Sequence, residues 1–318
     1  MTNENSNTKN FAVRIGRFSN KCVVILLKGI ALLPFGVLYL LSDVIYFLLK
    51  NFIRYRNTVI LENLQTAFPE KAGEEILHLR NGFYRHLSDV FLESVKLHYM
   101  TPRQMQKRVH FKGVDEMNRF AEAGRGVIVL AYHHNNWEWG SFLQTQSKHQ
   151  ILMVYNKMRD NQAMDDFLLY SREKWGGRAV QMGRAAKVAF DEFNKRVPSL
   201  LWLVADQSAL AEQGTWTMFL NREAAFFTGP EKIARHTNQP VFFQTVKKLG
   251  RGKYEYEFSL MVEEPAKAAP NEILLTYISK MEEAIHTAPE YYLWSHRRWK
   301  HKRPEGTELI PNLSRNEP

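Results

Sequence analysis

Cysteine is nearly absent from this sequence, since Cys22 is the only one among its 318 residues. One thiol cannot form a disulfide within the chain, and it cannot supply a cluster of thiolate metal ligands. A Gly-x-Ser-x-Gly motif is also missing, which disfavours a serine hydrolase of the α/β-hydrolase type. The single cysteine fits a reducing compartment, and any chemistry has to come from other residue types.

Acidic residues are too few to balance the basic ones, because 33 Asp and Glu face 43 Lys and Arg, a formal net charge of +10. This excess indicates an anionic partner, which could be a nucleic acid, an anionic membrane surface or a phosphorylated substrate. The shares of apolar (45%) and charged (24%) residues are those of a folded protein. Only the ends, 1–10 and 305–318, are polar and unpatterned, and we expect them to be mobile.

The longest apolar run extends over residues 23–49. Its polar interruptions are Lys28, Ser42 and Asp43. A helix needs about 20 residues to cross the hydrocarbon core of a bilayer, so the run is long enough to span it. The charges and Pro34 also fit a kinked segment inserted into one leaflet, and a buried helix of a soluble domain is the third possibility. We expect residues 1–55 to be an N-terminal tail and an apolar membrane-anchor helix that is not cleaved.

From residue 56 onward the pattern is that of a folded α/β domain, which we expect to cover 56–318. Strand-like apolar runs lie at 126–132, 151–155, 199–205, 240–246 and 254–262. Helical patterns lie at 72–99 and near 136–148, 160–174, 183–195 and 229–237. This alternation predicts a central mixed sheet flanked by helices. A short, turn-rich link joins the last two runs and predicts an antiparallel hairpin at one edge of the sheet.

Polar residues follow the first strand-like run directly: His133, His134, Asn135, Asn136, Trp137 and Glu138. Reactive side chains in α/β proteins tend to lie where strands end. A histidine beside a carboxylate can activate a hydroxyl, because the imidazole accepts the proton while the carboxylate fixes the tautomer. The spacing of Asn135 and Glu138 is also that of a capping box, and either histidine could be structural. The zinc pattern His-Glu-x-x-His is missing, so we expect no metal site.

The stretch 133–138 resembles the His-x4-Asp/Glu motif of glycerolipid and lipid A acyltransferases. Its last three residues, Asn-Trp-Glu, are similar to the bacterial lipid A branch of that family. Further stretches similar to the family are 55–57, 62–64, 67–70, 155–159, 206–207, 227–232 and 289–306. Together they cover most of the chain, and together they identify it as a member of the bacterial lipid A biosynthesis acyltransferases, late or secondary acylation being the leading step.

The resemblance implies an O-acyltransferase in which His133 is the general base and Glu138 orients it. It implies a thioester donor, usually an acyl carrier protein, with coenzyme A as the alternative. The acceptor would be a hydroxyl of a lipid A precursor at the inner membrane, with the catalytic domain facing the cytoplasm. We expect no cofactor and no nucleic-acid partner, and we expect contact with inner-membrane lipids. Alternatives are another membrane lipid as acceptor, a lipid esterase or thioesterase, and a non-enzymatic binding protein.

Arg159 and Asp206 each follow a strand-like run. The guanidinium of Arg159 suits a phosphate or a carboxylate, and the resemblance implies that an arginine here matters for activity, although exposed arginines are common. Asp206 could position the acceptor or pair with Arg159, but an aspartate that begins a turn is an equally good interpretation. We predict that both residues bind substrate.

A helix start provides another candidate anion site. Thr228 is the predicted N-cap, with Pro230 in the first turn and Glu231 at the third helical position. Free amides there, with Gly229 and Lys232 beside them, could hold an anionic headgroup. Capping alone would explain the same pattern.

The basic block 296–303 contains Arg297 and Arg298 and lies beside Trp294 and Trp299. This mixture of basic and aromatic residues suits a membrane interface or a phosphorylated glycolipid. A solvated charge run and a nucleic-acid contact are the other interpretations. Because the chain also carries an apolar anchor, we predict that Arg297 and Arg298 contact the lipid substrate.

Overall fold

A central mixed sheet of seven strands organises the computed structural model, which describes residues 20–312. Its strands are β1 (Val109–Lys112), β2 (Val127–Ala131), β3 (Gln150–Tyr155), β4 (Arg178–Gln181), β5 (Ser199–Val204), β8 (Val241–Gly250) and β9 (Lys253–Val262). A smaller sheet contains β6 (Gly214–Phe219), β7 (Arg222–Phe227) and β10 (Leu309–Ile310), in the order β10-β6-β7. The predicted fold class, a mixed sheet flanked by helices, is therefore confirmed.

The strand order of the central sheet is β1-β9-β8-β2-β5-β3-β4. All neighbouring pairs are parallel except β8 and β9, which form the predicted antiparallel hairpin. We expected this hairpin at the edge of the sheet. It lies one strand further in, because β1 pairs with β9 on the outside. The sequence of β1 is Val-His-Phe-Lys, which is too short and polar to stand out as a strand.

Helices cover both faces of the central sheet. They are α1 (20–32), α2 (Phe35–Leu48), α3 (Asn57–Ala67), α4 (Gly73–Lys96), α5 (Pro102–Gln106), α6 (Val114–Glu122), α7 (Gln162–Glu173), α8 (Ala185–Asn194), α9 (Gly229–Thr237) and α10 (Glu272–Thr287). The predicted helices near 72–99, 160–174, 183–195 and 229–237 are confirmed as α4, α7, α8 and α9. The pattern near 136–148 forms a 3₁₀ helix (Trp139–Thr145) instead of an α-helix.

The hydrophobic core lies on both sides of the strands. All five residues of β2 are buried, as a central parallel strand requires. Ile128 and Leu130 belong to one apolar cluster, and Val127 and Val129 belong to a second cluster on the opposite face. Because successive side chains of a strand point to opposite faces, the continuous run Val-Ile-Val-Leu-Ala supplies both layers at once.

The apolar helix α2 packs on α4 through polar contacts. Ser42 donates a hydrogen bond of 2.7 Å to Asp89 of α4. Arg251, in the β8–β9 turn, reaches Asp43 of α2 at 2.8 Å and Asp89 at 2.7 Å. Among the described residues, Phe35–Ile53 is the one helical stretch that is long and apolar enough to cross a membrane, judged by length and composition.

The break between α1 and α2 has a local cause. Pro34 precedes α2 and cannot donate a backbone hydrogen bond, so the helix of 20–32 ends before it. The ammonium of Lys96, in α4, donates to the carbonyl oxygens of Ala31 and Leu33, both at 2.8 Å. These bonds satisfy carbonyls that have no partner at a helix C-terminus.

The end of the chain is more ordered than we expected. Leu309–Ile310 pairs in parallel with β6, and the amide of Asn312 donates to the carbonyl oxygen of Met218 at 3.1 Å. The expectation of a mobile tail from residue 305 is therefore wrong for 309–312. The remainder of that prediction, 313–318, and the prediction for 1–10 lie outside the described residues.

Gly113 shows how tightly β1 and α6 are joined. It precedes α6 with φ +79°, and a Cβ there would overlap the carbonyl oxygen of Phe258. We expect Gly113→Ala to lower the free energy of unfolding by about 3 kcal/mol or more, because backbone strain and a clash with main chain add together. Gly124→Ala is the matched control, since Gly124 has φ +71° but open space around its Cβ position.

Chemical denaturation of both variants measures the difference. We expect Gly124→Ala to cost only about 1 kcal/mol, the conformational part alone. Equal losses in the two variants would show that the close approach of Gly113 to β9 contributes nothing to stability.

Candidate active site

The loop after β2 carries the candidate catalytic residues at the carboxyl end of the sheet. Asn135 turns the chain there with φ +56°, a conformation that asparagine tolerates better than most residues. Its side-chain amide donates to the carbonyl oxygen of Val246 at 2.6 Å, and its backbone amide donates to that of Tyr291 at 3.0 Å. The turn is thus fixed from two sides, by β8 and by the segment that follows α10.

His133 is hydrogen-bonded to Asp206. Its Nδ1 lies 2.6 Å from Oδ1, and its backbone amide donates to Oδ2 at 3.1 Å. The register explains the pairing, because Ala131 at the end of β2 is opposite Val204 at the end of β5. His133 and Asp206 each lie two residues beyond these strand ends and therefore come together. The side chain of His133 is 15% exposed, and its other nitrogen, Nε2, lies 3.5 Å from the side-chain nitrogen of Gln207.

The electrostatics of this pair favour a basic imidazole. Burial disfavours the imidazolium, but the charge and hydrogen bond of Asp206 outweigh burial and raise the pKa of His133 above its ordinary value. The reverse holds for Asp206, where burial favours the neutral acid but His133 keeps the pKa of the carboxyl below its usual range. Asp206 is therefore ionised and ready to stabilise a proton on His133.

We expected Glu138 to orient His133 through a direct contact. Its carboxylate instead binds Arg172. The guanidinium of Arg172, from α7, donates two hydrogen bonds to Glu138, at 2.9 and 2.6 Å. Burial would raise the pKa of Glu138, but Arg172 lowers it below the usual range. Glu138 acts on His133 through its charge, which raises the pKa of the imidazole, and the hydrogen-bonding carboxylate is that of Asp206.

The neighbouring His134 points elsewhere. Its Nε2 lies 3.0 Å from the carbonyl oxygen of Ala288, and its Nδ1 lies 3.2 Å from the side-chain amide of Asn135. Burial lowers the pKa of His134 to about 4, which leaves it neutral at physiological pH. His134 is thus the satisfied structural histidine of the pair, and His133 is the one that faces a carboxylate.

The capping interpretation of this loop fits a different residue. Asn136 accepts hydrogen bonds at its Oδ1 from the backbone amides of Glu138 and Trp139, both at 3.1 Å. These bonds start the 3₁₀ helix at Trp139. The alternative interpretation, a capping box of Asn135 and Glu138, is not found, since the Asn135 side chain binds β8 and the Glu138 side chain binds Arg172.

Arg159 lies in the loop that follows β3 and is exposed. The possible pairing of Asp206 with Arg159 is not found, because the carboxylate of Asp206 is bound to His133. The loop lies at the same carboxyl edge of the sheet as His133, since β3 and β2 both pair with β5 in parallel. A substrate-binding role for Arg159 stays a prediction.

The predicted helix start at Thr228 is confirmed in position but not in its contacts. α9 begins at Gly229 with Thr228 as N-cap, and the Thr228 side chain makes no capping hydrogen bond. Glu231 instead accepts from the backbone amides of Asn271 and Leu274, at 2.7 and 3.0 Å, and so caps α10. Gly229 and Lys232 are exposed.

The start of α9 is close to the site. Pro230 and Ala205, the residue before Asp206, line the same small apolar cavity. Its other lining residues are Leu130, Phe227, Glu231, Ile273, Leu274 and Tyr277. The amides at the start of α9 therefore lie on the side of the sheet edge that carries Asp206.

The basic block separates into an exposed and a buried part. Arg297 is exposed, but Arg298 is only 1% exposed and lies 4.0 Å above the ring of Phe226. Arg298 is thus not part of an exposed basic surface, because its guanidinium is enclosed, and the predicted contact with the lipid substrate stays a prediction. Its charge acts on Asp206, whose pKa it helps to lower.

Three further residues near the site were not predicted to take part in it. Arg172 is one of several charged residues on a helical pattern, and only the packing of α7 against the loop identifies it. Gln207, whose side-chain nitrogen lies 3.5 Å from Nε2 of His133, belongs to a stretch already noted for its resemblance. Glu93 of α4, which binds Asn136, lies 43 positions from that residue and shares no motif with it.

The assembled groups can activate a hydroxyl. Nδ1 of His133 is tied to a buried carboxylate, and Nε2, on the other side of the partly exposed ring, has Gln207 beside it. Within residues 20–312, no group of three or more His, Cys, Asp or Glu side chains is arranged to hold a metal ion. The chemistry that this geometry supports is general base catalysis by an imidazole.

Comparisons with known proteins identify the family. The chain is 24% identical over 281 residues to the lipid A biosynthesis palmitoleoyltransferase of Escherichia coli (strain K12). The aligned region covers 87% of this chain and 89% of that protein. The chain is 23% identical over 282 residues to the lipid A biosynthesis lauroyltransferase of the same organism, with 86% and 88% covered. A lipid A biosynthesis acyltransferase of Haemophilus influenzae is 23% identical over 242 residues, with 73% and 72% covered. The sequence model described as bacterial lipid A biosynthesis acyltransferase matches residues 11–301, and the chain therefore belongs to that family of acyltransferases.

Proposed function

We propose that this protein transfers a fatty acyl chain from a thioester donor to a hydroxyl of a lipid A precursor, with His133 as general base. The observation that carries the proposal is the His133–Asp206 pair at 2.6 Å, in which Asp206 is buried, His133 is partly exposed, and Nε2 of the imidazole is not bound to the carboxylate. Relatives whose names specify lipid A acylation support the acceptor class.

The proposed reaction has two steps. Nε2 of His133 takes the proton of the acceptor hydroxyl as its oxygen attacks the thioester carbonyl, and Asp206 stabilises the imidazolium. The tetrahedral intermediate then expels the thiolate, which receives the proton back from His133. The ester bond forms, the carbon–sulfur bond breaks, and no covalent acyl-enzyme is needed. Glu138, neutralised by Arg172, borders the site and adds to the preference for a protonated imidazole.

The charge of the protein suits both proposed substrates. We propose an acyl carrier protein as donor, since such carriers are acidic, and a phosphorylated acceptor, since the chain carries a net charge of +10. Arg159, Lys232 and Arg297 are exposed and are the basic residues that we assign to the anionic groups of the substrates, together with the amides at Thr228 and Gly229. Arg298 acts from inside the fold.

We propose that α1 and α2 attach the protein to the inner membrane, with residues 56–318 as the catalytic domain on the cytoplasmic side. Large exposed apolar side chains concentrate on this segment. They are Val23, Ile25, Leu26, Leu32, Val37, Leu40, Val44, Phe47, Leu48, Phe52 and Ile53. The opposite side of α2 is bound to charged residues of the domain, so we place the exposed side in one leaflet, without a crossing.

Acyl transfer itself is tested by mass spectrometry of the lipid product. Detergent-solubilised protein is incubated with acyl carrier protein thioester and a tetra-acylated lipid A precursor, beside His133→Ala. We expect a mass gain of one acyl chain, and a rate at least about 10³-fold lower in the variant, because the base is lost. His134→Ala is the control for a neighbouring histidine outside the proposed chemistry.

Two other outcomes would contradict the proposal. Free fatty acid without an acylated lipid would indicate a hydrolase that uses His133 to activate water. Full activity in His133→Ala would remove the imidazole from the mechanism.

The two carboxylates are distinguished by their effect on pH dependence. His133 has to be unprotonated to act as a base, and Asp206 raises its pKa above the ordinary value of about 6.5. The activity of the wild type is therefore lost as the pH falls through this raised pKa. We expect Asp206→Asn to move that limb to lower pH and to reduce kcat about 10²- to 10⁴-fold. Glu138→Gln should move the limb in the same direction by less, since Glu138 has no hydrogen bond to the imidazole.

Profiles of kcat/KM against pH, supported by ¹⁵N NMR of His133, measure both effects. A larger shift in Glu138→Gln than in Asp206→Asn would reverse the assignment of the two carboxylates.

The membrane surface is tested by flotation with vesicles of inner-membrane composition. Leu40→Glu combined with Phe47→Glu places two charges on the exposed side of α2, where these side chains are 67% and 54% exposed. We expect vesicle binding to fall at least about tenfold, since apolar contact is replaced by buried charge. Met182→Glu combined with Leu210→Glu, at exposed apolar positions elsewhere, is the control. Equal binding by all three proteins would exclude α2 as the membrane contact.

A further inference from the structure

Glu93 is a fully buried carboxylate in the last turn of α4, and three side chains donate hydrogen bonds to it. Tyr39 donates to Oε1 at 2.9 Å, while Asn136 and Tyr254 donate to Oε2 at 2.7 and 2.8 Å. Burial raises the pKa of Glu93, and the three donors oppose that effect. The donors come from three separate parts of the chain: α2, the loop after β2, and β9.

The bond to Asn136 bears directly on the site. Asn136 donates to Glu93 with its nitrogen, while its oxygen accepts from the amides of Glu138 and Trp139. These two amides fix which way the Asn136 amide points. The indole of Trp139 also donates to the backbone oxygen of Glu93, at 2.9 Å. Glu93 therefore holds the second half of the loop between His133 and Glu138, while Asn135 holds the first half.

The bond to Tyr39 connects the same carboxylate to the apolar helix. Tyr39 lies on α2, and its hydroxyl is enclosed by the β8–β9 turn, where a Cβ on Gly252 would overlap it. Arg251 of that turn lies 4.5 Å from the Tyr39 ring and binds Asp43 of α2. The position of Tyr39 is thus set by how α2 is seated on the domain.

We propose that Glu93 is a positioning residue for the catalytic loop, and that Tyr39 makes the geometry of that loop depend on the seating of the membrane-contacting helix. The catalytic consequence of this inference rests on the proposed function. The positioning of the loop by Glu93 and Tyr39 does not. Neither residue contacts the reacting atoms, and both act through Asn136.

The physical basis is the difficulty of burying an incompletely hydrogen-bonded carboxylate. Without the Tyr39 hydroxyl, Oε1 of Glu93 has lost its one side-chain donor inside a water-excluded region. The carboxylate then rotates towards its remaining donors, Asn136 and Tyr254, and Asn136 shifts with it. Because Asn136 holds the amide of Glu138, the displacement reaches the Glu138–Arg172 pair beside His133.

The first test compares Tyr39→Phe with Tyr46→Phe, a matched variant on the same helix. Tyr46 contacts Lys50 and Arg85 through its ring, so removal of its hydroxyl leaves these contacts in place. We expect Tyr39→Phe to lower kcat about five- to tenfold without changing KM for donor or acceptor, and Tyr46→Phe to behave as the wild type. A merely structural role would lower the melting temperature and leave kcat per folded molecule unchanged.

Amide hydrogen exchange of residues 133–140 provides a readout that needs no substrate. We expect faster exchange there in Tyr39→Phe, and again in Glu93→Gln, where one amide nitrogen replaces an acceptor oxygen. Tyr46→Phe should exchange at the wild-type rate.

The outcomes separate the two proposals. If the wild-type protein is active and Tyr39→Phe has the same kcat, the proposed link between α2 and the catalytic loop is wrong. It is also wrong if the amides of 133–140 exchange at the wild-type rate in Tyr39→Phe. Faster exchange together with no acyl transfer by the wild-type protein would support the positioning role and refute the proposed reaction instead.

Discussion

Charged side chains that are buried around β2 have to be neutralised by partners from other parts of the chain, and this requirement determines how the elements are joined. Glu93 and Asp89 of α4 are 0% and 1% exposed, and both need donors that α4 cannot supply. The donors come from α2, the catalytic loop and the β8–β9 hairpin. A buried carboxylate without such donors would cost several kcal/mol. The N-terminal helices are therefore bound to the domain by polar contacts as well as by a few buried apolar side chains, while many of their other apolar side chains face outward.

The same requirement shapes the active site. Glu138 is matched by Arg172, and the enclosed charge of Arg298 acts on Asp206. The two carboxylates near His133 are thus each accompanied by a guanidinium group. In the reaction that we propose, protonation of His133 adds one positive charge when the carbonyl oxygen of the substrate becomes negative, and such a match of charges favours the transition state.

Patterns within one segment were readable from the sequence, and contacts between distant segments were not. The apolar run of β2 and the polar residues after it identified the strand end, and the family resemblance assigned the role of base to His133 instead of His134. Asp206 was found for the same reason, as a strand-end residue, but its partner depends on the register of β2 against β5, which no local pattern contains. Arg172 and Glu93 lie on helices with many charged residues, so their roles follow only from packing. The edge strand β1, with one buried residue in four, has almost no apolar signal.

The backbone pairing between the segment after α10 and the catalytic loop has a consequence for biosynthesis. Leu293 donates to the carbonyl oxygen of His133 at 3.1 Å, and Tyr291 accepts from Asn135. These residues follow the apolar helices at 20–53 in the chain and therefore leave the ribosome later. With the membrane contact that we propose, a nascent chain can meet the membrane before the loop that carries His133 has the backbone partners that hold it. Attachment and completion of the site are then two separate events in the maturation of one molecule.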